Sequence, residues 1–204
     1  MTDTRSEFND LLWIFLPITG AVFAIITALV VVIVIRSRRR ATDPGWRSAW
    51  LRAEVAYAAV LLVFAIVLLA FTFRTETRVD QVADNPGLQI EVTAFQWQWA
   101  FGYPTGITIA GTREEPAPLV VPVDTEIRFR LTSRDVVHSF WIPYLRFKRD
   151  AFPDYVNEFD LVFPDEGRFT GRCAEFCGLR HADMLIDVIV LSQADFAAWL
   201  ERHS

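Results

Sequence analysis

The chain has 204 residues, a net charge of −5 and a hydrophobic fraction of 52%. This length allows one large domain, or one domain with additional segments. The chain has no excess of basic residues, so we expect no nucleic-acid partner. Its hydrophobic residues are spread unevenly, with the longest uncharged runs in the first 75 positions.

The first predicted elements are two membrane-spanning helices. Residues 11–35 form a run of 25 residues without a charge, and a helix of that length is about 37 Å long. It would cross a hydrocarbon core of about 30 Å, and the uncharged 19-residue run 55–73 is also within spanning length. A cleaved signal peptide is the alternative for the first run, but the sequence RSRRR follows it instead of a small-residue cleavage site. We therefore predict that residues 1–79 form a membrane anchor, a hairpin of two transmembrane α-helices.

The loop between the two runs predicts the orientation of this anchor. Residues 36–52 carry six arginines, whereas the first ten residues carry one. The positive-inside rule places such a loop on the cytoplasmic or matrix side of an inner or cell membrane. Both termini and the remainder of the chain are then expected on the outer, periplasmic or intermembrane side.

Residues 80–204 are predicted to form an all-β domain outside the membrane. After the polar linker 80–87, apolar and polar residues alternate with the period of a half-buried strand, as in EIRFRLT and EFDLVF. The segment MLIDVIVLS is expected to be a strand buried on both sides. Short strands separated by Pro and Gly indicate a sandwich or small barrel, and SQADFAAWL has the capping residues of a short C-terminal helix. With 19 acidic and 11 basic residues, this domain has a net charge of −8, which suits a basic partner.

One loop of this domain contains an unusual set of metal-ligand residues. Cys173 and Cys177 are the only cysteines, and His181 and Met184 follow within seven positions. A disulfide is the default for two cysteines outside the cytoplasm, but it leaves His181 and Met184 without a role. Zinc could bind the cysteines and two histidines, although it has little use for a thioether.

Copper makes use of every member of this set. Thiolates, imidazoles and a thioether are the ligands of copper electron-transfer sites, in which Met is a weak axial ligand. Two thiolates separated by three residues can bridge two copper ions, each of which then needs one imidazole. The chain has three histidines, and His203 lies at the C-terminus. His138, which follows the EIRFRLT strand in DVVHSFWIP, is therefore the expected partner of His181.

The pattern C-x-E-x-C-G-x-x-H-x-x-M, with D-V-x-H-S upstream, resembles subunit II of haem–copper cytochrome c oxidases. The resemblance extends over nearly the whole chain and implies a cupredoxin-like fold with a binuclear copper centre, CuA. It implies that both cysteines bridge the two coppers, and that the backbone carbonyl of Glu175 is a further ligand. The implied ligand set is His138, Cys173, Glu175, Cys177, His181 and Met184. We expect Gly178 to allow a tight turn after Cys177.

Three further residues gain a role from the resemblance. Trp97 in FQWQWAF matches the tryptophan through which the electron from cytochrome c enters, although Gln98 replaces an aromatic residue of the family. The Glu175 side chain is implied in a magnesium site shared with subunit I. Glu54 in AEVAY would mark the entrance of a proton pathway, although Tyr57 replaces the usual tryptophan. Asp135, three residues before His138, is expected to be an acid at the rim of the docking surface.

The resemblance implies that the chain is the electron-input subunit of a proton-translocating terminal oxidase. Cytochrome c would reduce the CuA centre, and a haem in subunit I would receive the electron and reduce oxygen to water. The chain alone would have no oxygen chemistry, and its partners would be subunit I, subunit III and membrane lipid. One alternative is the CuA-bearing subunit of a nitric oxide reductase. A membrane-tethered copper carrier is an alternative from another class, although carriers tend to have open sites rich in Met or Cys.

Overall fold

The computed structural model describes residues 3–37, 46–112 and 114–203, without the side chains from 37 to 52. Most of the arginine-rich loop 36–52 therefore lies outside the described residues. The chain divides into two compact units, one formed by Asn9–Thr77 and the other by Met1–Phe8 together with Arg78–Ser204. We describe each unit by itself.

The first unit consists of two long apolar helices. Helix α1 spans Thr4–Ser37 and helix α2 spans Trp46–Val79, so each has 34 residues and extends beyond the uncharged run that predicted it. Both are long and apolar enough to cross a membrane. Large apolar side chains such as Trp13 and Phe23 are more than 70% exposed, which suits contact with lipid.

The second unit is a β-sandwich of two five-stranded sheets, as the alternation of apolar residues predicted. The strands are β1 (Leu88–Phe95), β2 (Gln98–Gly102), β3 (Thr108–Ala110), β4 (Ala117–Pro122), β5 (Ile127–Ser133), β6 (His138–Ile142), β7 (Phe147–Ala151), β8 (Asn157–Leu161), β9 (Gly167–Cys173) and β10 (Leu185–Leu191). One sheet has the order β3-β2-β1-β5-β8 and the other the order β4-β10-β9-β6-β7. The predicted C-terminal helix is α3 (Gln193–His203), whose first turn begins with a hydrogen bond from the Asp195 N–H to Ser192 Oγ.

The core lies between the two sheets. On β5 the residues Ile127, Phe129 and Leu131 are fully buried, and Phe129 packs against the rings of Phe140 and Phe159 at centroid distances of 5.9 and 5.6 Å. Strand β10 differs from its prediction, because alternate residues are buried rather than all of them. A sheet in a two-layer sandwich has only one face toward the core, so the other face of β10 remains partly open to solvent.

The first turn of α1 belongs to the same compact unit as the sandwich. The Thr4 hydroxyl donates a hydrogen bond to the Leu145 carbonyl at 2.9 Å, and Thr4 is 7% exposed. The Arg5 guanidinium pairs with Asp165 at 3.2 Å, and the guanidinium of Arg146 lies 4.6 Å from the ring centre of Phe8. The N-terminal residues are therefore held against the β domain by specific contacts.

A buried ion pair fixes the linker that precedes β1. Asp160 on β8 is 6% exposed and accepts hydrogen bonds from Arg128 on β5 and from the Ala83 N–H, and Arg128 donates in turn to the Ala83 carbonyl. The alternation of β8 predicts that Asp160 faces solvent, so its burial is an exception to that pattern. Its burial is explained by the linker, which covers this part of the sheet.

Replacing Asp160 with Asn should destabilise the domain by roughly 3 kcal/mol or more, because it leaves the half-buried Arg128 without a countercharge. Glu158→Gln is the matched control, since Glu158 lies on the same strand and also pairs with an arginine of β5, but its side chain is 45% exposed. That control should cost at most about 1 kcal/mol. Urea unfolding of the fragment from residue 80 measures both, and equal losses would contradict this role for the buried pair.

Candidate metal centre

The predicted ligand residues come together at one end of the sandwich. His138 begins β6, Cys173 ends β9, and Met184 immediately precedes β10. The loop 174–184 is closed at its neck by a hydrogen bond from the Cys173 N–H to the Met184 carbonyl at 2.9 Å. A second bond, from the Ala174 N–H to the Ser139 carbonyl, ties the start of the loop to β6. Backbone hydrogen bonds among β6, β9 and β10 therefore bring the segments that carry the donor atoms to the same end of the sandwich.

The donor atoms are arranged as a chain of close contacts. The two Sγ atoms are 3.8 Å apart, the Cys173 Sγ lies 3.9 Å from the His138 Nδ1, and the Cys177 Sγ lies 3.6 Å from the His181 Nδ1. The Cys177 Sγ is also 3.8 Å from the Met184 Sδ, and the Glu175 carbonyl oxygen is 3.2 Å from the Cys173 Sγ. Each cysteine thus has its own imidazole neighbour.

These separations suit bound metal ions rather than a disulfide. Donors bonded to one ion at about 2.0 to 2.3 Å lie between three and four ångströms apart. A disulfide would require sulfur atoms about 2.05 Å apart, whereas both cysteines are free thiols here. His138 and Met184 are fully buried and the two cysteines are at most 4% exposed, so bulk water has little access to the donors.

The two thiols have different protonation properties. Burial raises the pKa of Cys173, but its contact with the His138 ring and hydrogen bonding at the Ser139 backbone outweigh burial, so the pKa is lowered overall. Burial and the adjacent Cys173 thiolate together raise the pKa of Cys177. The two thiols of the metal-free site are therefore shifted in opposite directions, and deprotonation of one disfavours deprotonation of the other. Because metals bind the deprotonated sulfur, occupation of the site would release the Cys177 proton.

Trp97 is in direct contact with the metal-ligand loop. Its Nε1–H donates a hydrogen bond to the Cys177 carbonyl at 3.1 Å, and the Gln96 side-chain amide donates to the same oxygen at 2.8 Å. Gly178 has φ of +117°, and a Cβ there would lie 3.2 Å from Gln96 and 3.3 Å from Trp97. The expected tight turn at Gly178 is confirmed. The contribution of Gln96 was not predicted, since a turn glutamine carries no sequence signal for this contact.

Asp135 makes contacts with the site that were not predicted from the sequence. The His138 Nε2 lies 2.8 Å from its Oδ1, and the Gln96 N–H donates to its Oδ2 at 2.7 Å. Burial raises the pKa of this carboxyl, but the hydrogen bonds from Gln96, His138 and Val136 outweigh it and lower the pKa overall. Asp135 is therefore hydrogen-bonded to a candidate ligand, while its side chain remains 31% exposed. The D-x-x-H spacing was the available signal for this contact.

The remaining predicted residues lie outside the donor cluster. The Glu175 carboxylate is about half exposed and is 4.0 Å from the Lys148 ammonium. His203 bonds to the Trp199 carbonyl on α3, where it has no contact with the cluster. Glu54 and Tyr57 on α2 line a cavity of about 260 Å³ within the helical unit, whose other lining residues are apolar apart from the backbone.

A two-sheet sandwich with Cys, His and Met donors gathered around one loop defines a cupredoxin-like domain with a candidate metal centre, in a chain that also has two helices long enough to cross a membrane. A family model described as the periplasmic domain of cytochrome c oxidase subunit II matches residues 88–191, just over half of the chain. The chain belongs to this family, which implies a CuA copper site.

Individual relatives agree with this assignment. Cytochrome c oxidase subunit 2 of Corynebacterium glutamicum is 32% identical over 72% of this chain and 56% of its own length. The same subunit of Mycobacterium bovis is 28% identical over 98% of this chain and 72% of its own length. The crystal structure of the periplasmic domain of cytochrome oxidase subunit II from Bradyrhizobium japonicum has a TM-score of 0.55 and 32% identity, and it covers 60% of this chain and 96% of that domain. The chain spans little more than half the length of the Corynebacterium relative.

Proposed function

We propose that this chain is the electron-input subunit of a haem–copper oxidase. It would take electrons from cytochrome c at a binuclear copper centre and deliver them to a haem in subunit I, where oxygen is reduced to water and protons are translocated. The observation that carries this proposal is the set of six donors, of which His138, Cys173, Cys177 and Met184 are buried and in which each cysteine sulfur lies beside its own imidazole. The family membership of the β domain supports it.

The donor set fits copper better than zinc. Cys173 and Cys177 would bridge two ions, His138 and Met184 would complete the site of one, and His181 with the Glu175 carbonyl would complete the other. The thioether of Met184 is fully buried and points its sulfur at Cys177, a contact that a zinc site would not need. When bound, the copper pair supplies a one-electron redox couple shared over two ions.

The surrounding residues hold the donors in place. The neck of the loop is fixed by the backbone bonds of Cys173 and Ala174, and the Cys177 carbonyl is fixed by two donors from the β1–β2 turn. Donors that are held rigidly and kept dry need little rearrangement when the charge of the site changes. The same closure argues against a copper carrier, because release of the metal would require this loop to open.

The test of the copper assignment is the metal content of the chain. Loaded with copper, the fragment from residue 80 should bind two coppers per chain and be purple, and Cys173→Ser or Cys177→Ser should abolish the mixed-valence signal. Met184→Leu should retain copper with a changed reduction potential, because an axial ligand tunes the site. Binding of one copper per chain, with the spectrum of a mononuclear blue site, would contradict the binuclear proposal.

We propose that Trp97 carries the electron from the donor to the centre, because its indole bonds directly to the carbonyl of a ligand residue. Trp97→Phe should leave donor association and its salt dependence unchanged but slow transfer within the complex by orders of magnitude. Trp199→Phe is the matched control, since Trp199 lies on α3 and packs on Tyr103, so its replacement should have no effect on transfer. Stopped-flow reduction at several ionic strengths separates the two steps. Wild-type transfer in Trp97→Phe would make Trp97 a packing residue.

We propose that the N-terminus and the copper domain face the outer side of the membrane, with the loop 36–52 on the cytoplasmic side. The contacts of Thr4 and Arg5 with the β domain support a common side for the N-terminus and that domain. Reporter fusions after residue 45 should be active only as cytoplasmic markers, and fusions after residue 85 only as external ones. The opposite pattern would remove the basis for an external electron donor.

Two carboxylates are proposed to act together with subunit I. Glu54 lines a cavity in the apolar helical unit, which suits the entrance of a proton pathway. The exposed Glu175 carboxylate would leave Lys148 and bind a magnesium ion shared with subunit I. In the assembled oxidase, Glu54→Gln should slow oxygen turnover without changing reduction of the copper centre by the donor. Glu175→Gln should lower the magnesium content instead. If a variant does not show its expected loss, the carboxylate that it removes is an ordinary solvated side chain without the proposed role.

A further inference from the structure

The carboxylate of Asp135 joins two parts of the site that are distant in sequence. Its Oδ1 lies 2.8 Å from the His138 Nε2 and accepts the Val136 N–H at 2.7 Å, while its Oδ2 accepts the Gln96 N–H at 2.7 Å. Its side chain is 31% exposed, so it is neither buried in the core nor free in solvent. The Ser133 hydroxyl makes a longer contact of 3.5 Å with Oδ1. Of these partners, His138 is a candidate ligand and Gln96 contacts the Cys177 carbonyl.

The contact with His138 determines which ring nitrogen carries the proton. The imidazole is fully buried, so water cannot readily replace Asp135 as the acceptor for the Nε2–H. With that proton held on Nε2, the lone pair of Nδ1 is directed toward the Cys173 Sγ, 3.9 Å away. A hydrogen bond from the second ring nitrogen to a carboxylate orients a histidine ligand and increases its basicity.

The contact with Gln96 extends the same carboxylate to the turn that carries Trp97. The Gln96 backbone is held by Asp135, while its side chain and the Trp97 indole both donate to the Cys177 carbonyl. One carboxylate therefore fixes a candidate ligand on β6 and the turn that contacts the other cysteine.

We infer that Asp135 is a positioning residue of the metal centre, which fixes the Nε2–H tautomer and orientation of His138 and anchors the Gln96–Trp97 turn beside Cys177. The inference rests on the proposed function, since it assigns His138 as a copper ligand. Loss of the carboxylate should make His138 a weaker donor, which disfavours the oxidised site.

The first test needs no variant. In the metal-free full chain in detergent, at a pH where imidazole is neutral, ¹⁵N NMR should show His138 as the Nε2–H tautomer. The chain has only three histidines, so the signals can be assigned by replacing His181 and His203 one at a time. An Nδ1–H tautomer for His138 would overturn the inference without affecting the copper proposal.

The second test compares Asp135→Asn with Asp183→Asn in the copper-loaded full chain. Asp183 is a suitable control because it precedes Met184 directly, but its side chain is 65% exposed and pairs with Arg180 at the surface. Asp135→Asn should lower copper affinity by about 10- to 100-fold. It should also raise the reduction potential, whereas Asp183→Asn should leave both nearly unchanged.

The outcomes distinguish the two levels of the proposal. If wild-type protein fails to bind two coppers, the proposed function fails. If wild-type protein binds them and the two Asn variants shift affinity and potential equally, Asp135 acts only as a nearby charge and the positioning role is wrong. Restoration of the wild-type potential in Asp135→Glu, which keeps a carboxylate acceptor, would further support positioning.

Discussion

The antiparallel pairing of β6 with β9 is the constraint on which the site depends. Its register sets Phe140 opposite Cys173, so that His138, two residues earlier on β6, meets the Cys173 sulfur at 3.9 Å. Strand β10 pairs with β9 on the other side and brings Met184 to the same end of the sheet. A slip of one residue in either register would turn a donor to the opposite face of the sheet. The buried core that fixes these registers is therefore needed for the site to form.

The second level of order comes from contacts between segments far apart in the chain. Cys177 and Gly178 lie in a loop, yet the Cys177 carbonyl receives hydrogen bonds from residues about 80 positions earlier. Asp135 adds a link from the same turn to His138. The proposed path of the electron thus follows hydrogen bonds that also hold the donors still. This explains how the loop 174–184 can hold donor atoms in place although it is not part of a strand.

Much of this arrangement could be predicted from the sequence, because its signals are local. The apolar runs predicted the two helices, the alternation in β5 predicted a buried face, and Gly178 predicted the tight turn after Cys177. The donor cluster was predicted because the spacing of Cys173, Cys177, His181 and Met184 is itself the pattern. The structure brings these side chains together, while their binding of copper remains a proposal.

Other features could not be predicted, because they depend on which segments meet in space. The burial of Asp160 requires the linker at Ala83 to fold over its sheet, and β10 is half exposed because a sandwich offers each strand one core face. In the sequence, Asp135 cannot be told from an ordinary surface acid. Its role in holding His138 and Gln96 depends on the fold, which brings these residues close to it. Gln96 likewise becomes part of the site only through the fold.

The central claim is that the two cysteines and two histidines hold a pair of copper ions that share one electron. Electron paramagnetic resonance of the copper-loaded full chain in its partly oxidised state tests this claim most directly. The account predicts hyperfine splitting from two equivalent copper nuclei, since the unpaired electron would be spread over both ions. Splitting from a single copper nucleus, with the second ion absent or magnetically isolated, would contradict it.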